Sequence, residues 1–150
     1  MAQAKYTLMI PLNDNLGNEL QDIATAAHQY LFESGKVEGT YIEGPKKGNW
    51  RDDPQELFEH LITVADDTPE MDSTIKHLAL VIARAANQWG VFCTKEGKNG
   101  IESWTIQNKD AHDGPAPLAK DGGNPEAGLG SFSHVASIFS ALDYLDHPGN

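Results

Sequence analysis

Apolar and polar residues alternate along residues 5–12, with Tyr6, Leu8, Ile10 and Leu12 on one side. This two-residue period predicts a β-strand, and Pro11 sits near its end, where a missing N–H does least harm. The run Asn13-Asp14-Asn15-Leu16-Gly17 is turn chemistry. Spacing then changes to three and four: Leu20, Ile23, Ala24, Ala27 and Leu31 line one side of a helix with Asn18 as N-cap and Gly35 as its stop. Alternation returns over 37–43 as a second strand, and 45–54 is a polar loop bounded by prolines. Residues 55–65 form a third strand, with Phe58, His60, Ile62 and Val64 on one face and Leu57, Leu61, Thr63 and Ala65 on the other. Apolar residues on both faces mark a central strand, or one covered from both sides. A second helix has Thr68 as cap, Pro69 in its first turn, and Met71, Ile75, Leu78, Ile82, Ala85 and Trp89 in helical register up to Gly90. Residues 91–96 and 101–106 read as strands joined by the hairpin signal Gly97-Lys98-Asn99-Gly100.

The order β-α-β-β-α-β, its last strand doubled into a C-terminal hairpin, predicts an α+β fold, a ferredoxin-like sandwich with both helices on one sheet face. Residues 110–130 are rich in Gly and Pro and hold Leu118 and Leu129 as their large apolar residues, the composition of a linker. Val135, Ile138, Phe139, Leu142 and Leu145 then make one apolar stripe, a terminal amphipathic helix. The expected organisation is an α+β domain over 1–109, a flexible linker over 110–130, and a C-terminal helix and tail over 131–150. The sheet face without helices needs a cover. A homodimer formed through that face or through the C-terminal helix is the favoured one.

Composition narrows the function classes. The chain has 150 residues, 39% of them apolar, which suits one globular domain. Its net charge of −11 argues against unspecific binding of a polyanion, because neutralising phosphates takes a basic face. RNA-recognition domains share this element order, but their basic third strand is replaced here by one carrying Glu56 and Glu59 and no Lys or Arg. No nucleic-acid partner is expected. The single cysteine, Cys93, closes no intrachain disulfide, and it reads as an inert buried thiol. The first residues lack the pattern of a signal peptide, and no run reaches the roughly 18 apolar residues of a membrane span. A cytoplasmic protein with no membrane partner is the expectation.

The run Ile10-Pro11-Leu12-Asn13-Asp14-Asn15-Leu16-Gly17, with Trp50-Arg51-Asp52 after the second strand, resembles a group of small uncharacterised bacterial proteins that open with an I-P-L-x-D-N-x-G strand and turn. The resemblance spans residues 6–106 and implies a compact α+β domain. It implies no activity, and the Gly/Pro-rich stretch after 110 departs from it.

Candidate chemistry gathers at two places. The 45–54 loop combines Trp50, Arg51, Asp52, Asp53, Lys46 and Lys47. Trp50 as a lid over a ligand, with Arg51 pairing an anionic group bidentately, competes with local packing of both side chains. His60 stands among apolar neighbours on its strand face; with a carboxylate such as Asp52 it makes a general base, and alone it is a core histidine satisfied by one hydrogen bond. His28, on the flank of the first helix, is a second ligand-binding candidate if that flank meets the third strand. No His-x-x-x-His or Cys-x-x-Cys pair, phosphate loop or nucleophile elbow occurs, so no metal and no cofactor are expected. Asn13 to Glu19 fails as a calcium loop because its glycine falls one place early and the last ligand position has no glutamate. Without a complete catalytic constellation, the favoured function is a non-enzymatic ligand-binding or protein-interaction module. The alternative is a small-molecule enzyme that performs acid/base chemistry on an anionic substrate between the 45–54 loop and His60.

Overall fold

The computed structural model describes residues 2–49 and 55–120. Seven elements follow in order: β1 (Gln3–Pro11), α1 (Ile23–Ser34), β2 (Val37–Gly48), β3 (Glu56–Asp66), α2 (Pro69–Ala85), β4 (Gly90–Gly97) and β5 (Gly100–Gln107). The strands form one sheet in the order β2-β3-β1-β4-β5, every neighbouring pair antiparallel. The α+β class expected from the sequence is therefore present, with a five-stranded sheet and two helices.

Alternation along β1 sets the layers. Ala4, Tyr6, Leu8 and Ile10 are buried in one core with Ala27 and Leu31 of α1 and Ile75, Leu78 and Ile82 of α2. Leu8 pairs in register with Leu61 and with Cys93, which places those residues beneath the helices as well. Lys5, Thr7, Met9 and Pro11 point to the other, helix-free face, together with Val64, Ile62, His60 and Phe58 opposite them. Covering a sheet on one face in this way leaves the second face for a ligand or partner.

Several boundaries differ from the sequence reading for physical reasons. Helix α1 is capped by Asp22, whose side chain accepts from the Thr25 N–H, and not by Asn18. Asn18 is held instead by Asp14, through its backbone N–H and its side-chain amide. Strand β2 continues to Gly48, so Pro45, Lys46 and Lys47 belong to a strand and not to the polar loop expected there; a register shift lies between Glu43 and Lys46. An edge strand tolerates Pro45 at such an irregularity. Helix α2 starts at Pro69 under its Thr68 cap as expected, but stops at Ala85, because Asn87 adopts a left-handed conformation (φ 47°) that ends the helical ladder. Trp89 thus leaves the helix stripe and stands 60% exposed.

Part of the stretch read as linker is packed. Ala116, Leu118 and Ala119 are buried in the core, and the Leu118 N–H donates to the Ala85 carbonyl at 3.1 Å. Its own carbonyl accepts from the Gln21 N–H at 2.9 Å. The rest of that stretch and the terminal amphipathic helix lie outside the described residues. Among the described residues no helix is long and apolar enough to cross a membrane.

Candidate functional site

Backbone hydrogen bonds around Asp14 build one end of the sheet. Its carboxylate accepts from the N–H groups of Leu16 (3.0 Å), Asn18 (2.8 Å) and Ala116 (3.0 Å), and from the Asn18 amide (3.1 Å). Burial pushes its pKa up, but the donors, Ala116 first among them, outweigh burial and hold the carboxyl below the ordinary carboxylate range. The Asp-Asn-x-Gly motif is thus a structural clamp, its oxygens already committed to N–H donors. The next residue extends the clamp: the Asn15 side chain donates to the Asn87 carbonyl at 2.7 Å. Asn87 in turn donates to the carbonyls of His112 and Gly114, both at 2.8 Å, and accepts from the His112 N–H. The loop carrying Gln88, Trp89 and Gly90 is fixed by these bonds and by the Asn108 N–H, which donates to the Trp89 carbonyl.

A cleft of about 430 Å³ opens on the helix-free face at this end of the sheet. Met9, Pro11, Phe58 and Phe92 supply apolar walls, and Trp89 joins them from the loop before β4. Thr105 and Gln107 of β5 lie at one end, while Gly48, Asn49 and Glu56 lie at the other. Close packing shapes both ends. A Cβ at Gly48 would stand 2.9 Å from the Phe58 ring, and one at Gly90 would stand 3.1 Å from the Thr105 methyl, so each glycine admits a neighbour that a side chain would displace.

His60 is half-buried beside this cleft, with Met9 opposite it in register and its ring tilted against that of Phe58 at 5.4 Å. Burial lowers its pKa, the nearby Lys46 lowers it further, and Glu43 opposes the shift. The imidazole is therefore neutral at pH 7, the form a general base needs. Trp50, Arg51 and Asp52 lie outside the described residues; in sequence they follow directly on Asn49, which lines the cleft. His28 is on the helix-covered side, its Nε2 at 3.1 Å from the Thr40 carbonyl and its ring stacked on Phe32. The structure therefore does not bring His28 together with His60.

Sequence reasoning missed Trp89, Thr105 and Gln107 as cleft residues. The signal was the run Asn87-Gln88-Trp89-Gly90, in which a left-handed Asn ends the helix before the tryptophan. It also missed a buried ion cluster at the far end of the sheet. Lys95 lies 2.8 Å from both Asp67 and Asp72, and the Tyr6 hydroxyl donates to Asp72 at 2.5 Å. Burial opposes the charge on Lys95, but hydrogen bonds to the two carboxylates raise its pKa on balance, while the bond from Lys95 holds Asp67 low. The Tyr6 hydroxyl is pushed up by burial and by Asp72. Cys93 lies nearby, buried and pushed up to about 12, an unreactive thiol as its sequence setting suggested.

No family model matches this chain, and no curated protein does. Two solved structures share its fold, both of a phage SAM lyase. The complex with S-methyl-5'-thioadenosine matches with a TM-score of 0.55 at 12% identity, covering 73% of this chain and 93% of that chain. The apo state matches with a TM-score of 0.50 at 12% identity, covering 72% and 91%. At that identity the likeness is one of fold. It overturns the favoured sequence reading of a non-enzymatic module, because the solved relatives in fold are an enzyme with a small-molecule ligand, and the alternative reading of a small-molecule enzyme is the better supported.

Proposed function

We propose that this chain is a small-molecule enzyme that holds an adenosyl sulfonium or thioether compound in the cleft of the helix-free face and cleaves a carbon–sulfur bond there. The observation that carries this reading is a cleft of about 430 Å³, within the usual range for small-molecule sites, on a fold shared with a phage SAM lyase. The core order β2-β3-β1-β4 under two helices supports the ferredoxin-like arrangement, with β5 as an added edge strand.

The chemistry suits the site. Breaking a carbon–sulfur bond of a sulfonium sends the electron pair to sulfur, which leaves as a neutral thioether. The carbon fragment then balances its charge by losing a proton or by bonding to an oxygen of its own. For the first route His60 supplies a neutral base, and Asp52 is the carboxylate that the sequence offers it. Arg51 and Trp50, which follow Asn49 in sequence, supply a guanidinium suited to the carboxylate of the substrate's amino-acid portion and an aromatic ring. A homodimer through the same face, where Tyr41 and Ile101 are exposed, belongs to this proposal, and light scattering tests it.

The direct test is incubation of the purified full chain with SAM, with chromatography and mass spectrometry of the products. Release of S-methyl-5'-thioadenosine proportional to enzyme is the expected result. Intact SAM after prolonged incubation at high enzyme concentration refutes the reading.

A further inference from the structure

The cleft runs across the sheet, and its two ends differ in chemistry. At the β4–β5 end the described lining is neutral: the Trp89 indole with the amide of Gln107, the Thr105 hydroxyl and the Asn15 amide. At the β2–β3 end stands Glu56, the one charged residue of the described lining, which includes no lysine or arginine. Trp89 combines two properties that seldom occur together. Trp89 is 60% exposed, yet its backbone is pinned by Asn108, and Asn87 two residues before it is held by three side-chain hydrogen bonds. A large aromatic face left bare on a fixed support offers a flat surface to a planar ligand with little ordering cost.

A purine fits that end and not the other. It presents a π-face, which stacks on an indole, and an edge that alternates donors and acceptors, which a side-chain amide with both kinds of group can match. The sulfonium and ammonium of an adenosyl amino acid are cationic, and a carboxylate with an aromatic neighbour such as Phe58 accommodates positive charge. Building on the function proposed above, we propose that Trp89 and Gln107 form the purine subsite, with the indole as stacking platform and the amide reading the base edge, so that the ligand's sulfur points towards Glu56.

Calorimetric titration of the full chain with three probes tests this: S-methyl-5'-thioadenosine, adenosine, and purine riboside, which lacks the exocyclic amine. Trp89→Ala is expected to weaken the first two by roughly 5- to 150-fold, the range of base–aromatic stacking, while Trp89→Phe restores most of the affinity. Gln107→Ala is expected to erase the preference for adenosine over purine riboside and to leave the fold intact. Wild-type binding of S-methyl-5'-thioadenosine with less than twofold change in Trp89→Ala, or an unchanged preference in Gln107→Ala, overturns the subsite and leaves the proposed function standing. Failure of the wild-type chain to bind S-methyl-5'-thioadenosine or SAM at millimolar concentration overturns both.

Discussion

Replacing Asp14 with alanine removes a carboxylate that accepts four hydrogen bonds and joins parts of the chain 102 positions apart. The Ala116 N–H is buried and loses its acceptor, which costs about 1–3 kcal/mol. The N–H groups of Leu16 and Asn18 lie in a turn that water reaches, so each loss there is about 0.5–1.5 kcal/mol. These donors share one acceptor and their losses overlap, so a total of about 3 kcal/mol is expected. For a folded body of this size that lowers Tm by roughly 10 °C. The pH dependence identifies the cause. A carboxyl whose pKa is depressed by folding contributes stability that is complete above its unfolded value near ~3.9 and is lost as pH falls through the lower, folded value. The gap between wild type and Asp14→Ala in urea denaturation should therefore be full at pH 7 and narrow as pH falls below about 4. A gap under about 1 kcal/mol at pH 7, or one of equal size at pH 3, refutes the assignment of Asp14 as the clamp.

Two further predictions follow from the same structure. Deleting residues 110–150 removes Ala116, Leu118 and Ala119 from the core, and its Tm by circular dichroism should fall well below that of a chain ending at Lys120; equal values would show that the packed segment contributes nothing. His60 should titrate by NMR with a midpoint below 6.5. Because the unfolded chain binds more protons just below that value, the group withdraws stability as pH falls through this window and restores it as pH rises; a midpoint at or above 6.5 contradicts the burial described here.

Periodicity made the two helices, the strands and the β4–β5 hairpin legible in the sequence, because each buries one face and so imposes its period on the chain. The alternation in β1 grouped Tyr6, Leu8 and Ile10, which lie together under the helices, without saying which face the helices cover. What periodicity misses are features set by single hydrogen bonds or long-range contacts. Asn18 has the chemistry of a cap, but Asp14 takes it first. Leu118 sits among glycines and prolines, yet its partners Ala85 and Gln21 are remote in sequence. Trp89 keeps helical spacing with Ile82 and Ala85, and one left-handed residue turns it into a cleft wall. His60 stood out as a polar group on an apolar face, a local anomaly visible without the fold. Its separation from His28 by the thickness of the sheet depends on which face each element packs, and spacing does not contain that.

The hydrogen bonds that tie residues 112–118 to Asn87 and Asp14 also bear on the order in which the protein comes into being. β1 and its turn lie far from the loop of Trp89 along the chain, and both complete their hydrogen bonds only through residues 112–118. Closing so long a loop costs entropy that only the finished contacts offset, so these bonds form late. The helix-covered core can assemble on the nascent chain while the cleft wall is still unfixed. The loop that carries Trp89 is then fully tied down only once residues 112–116 are in place.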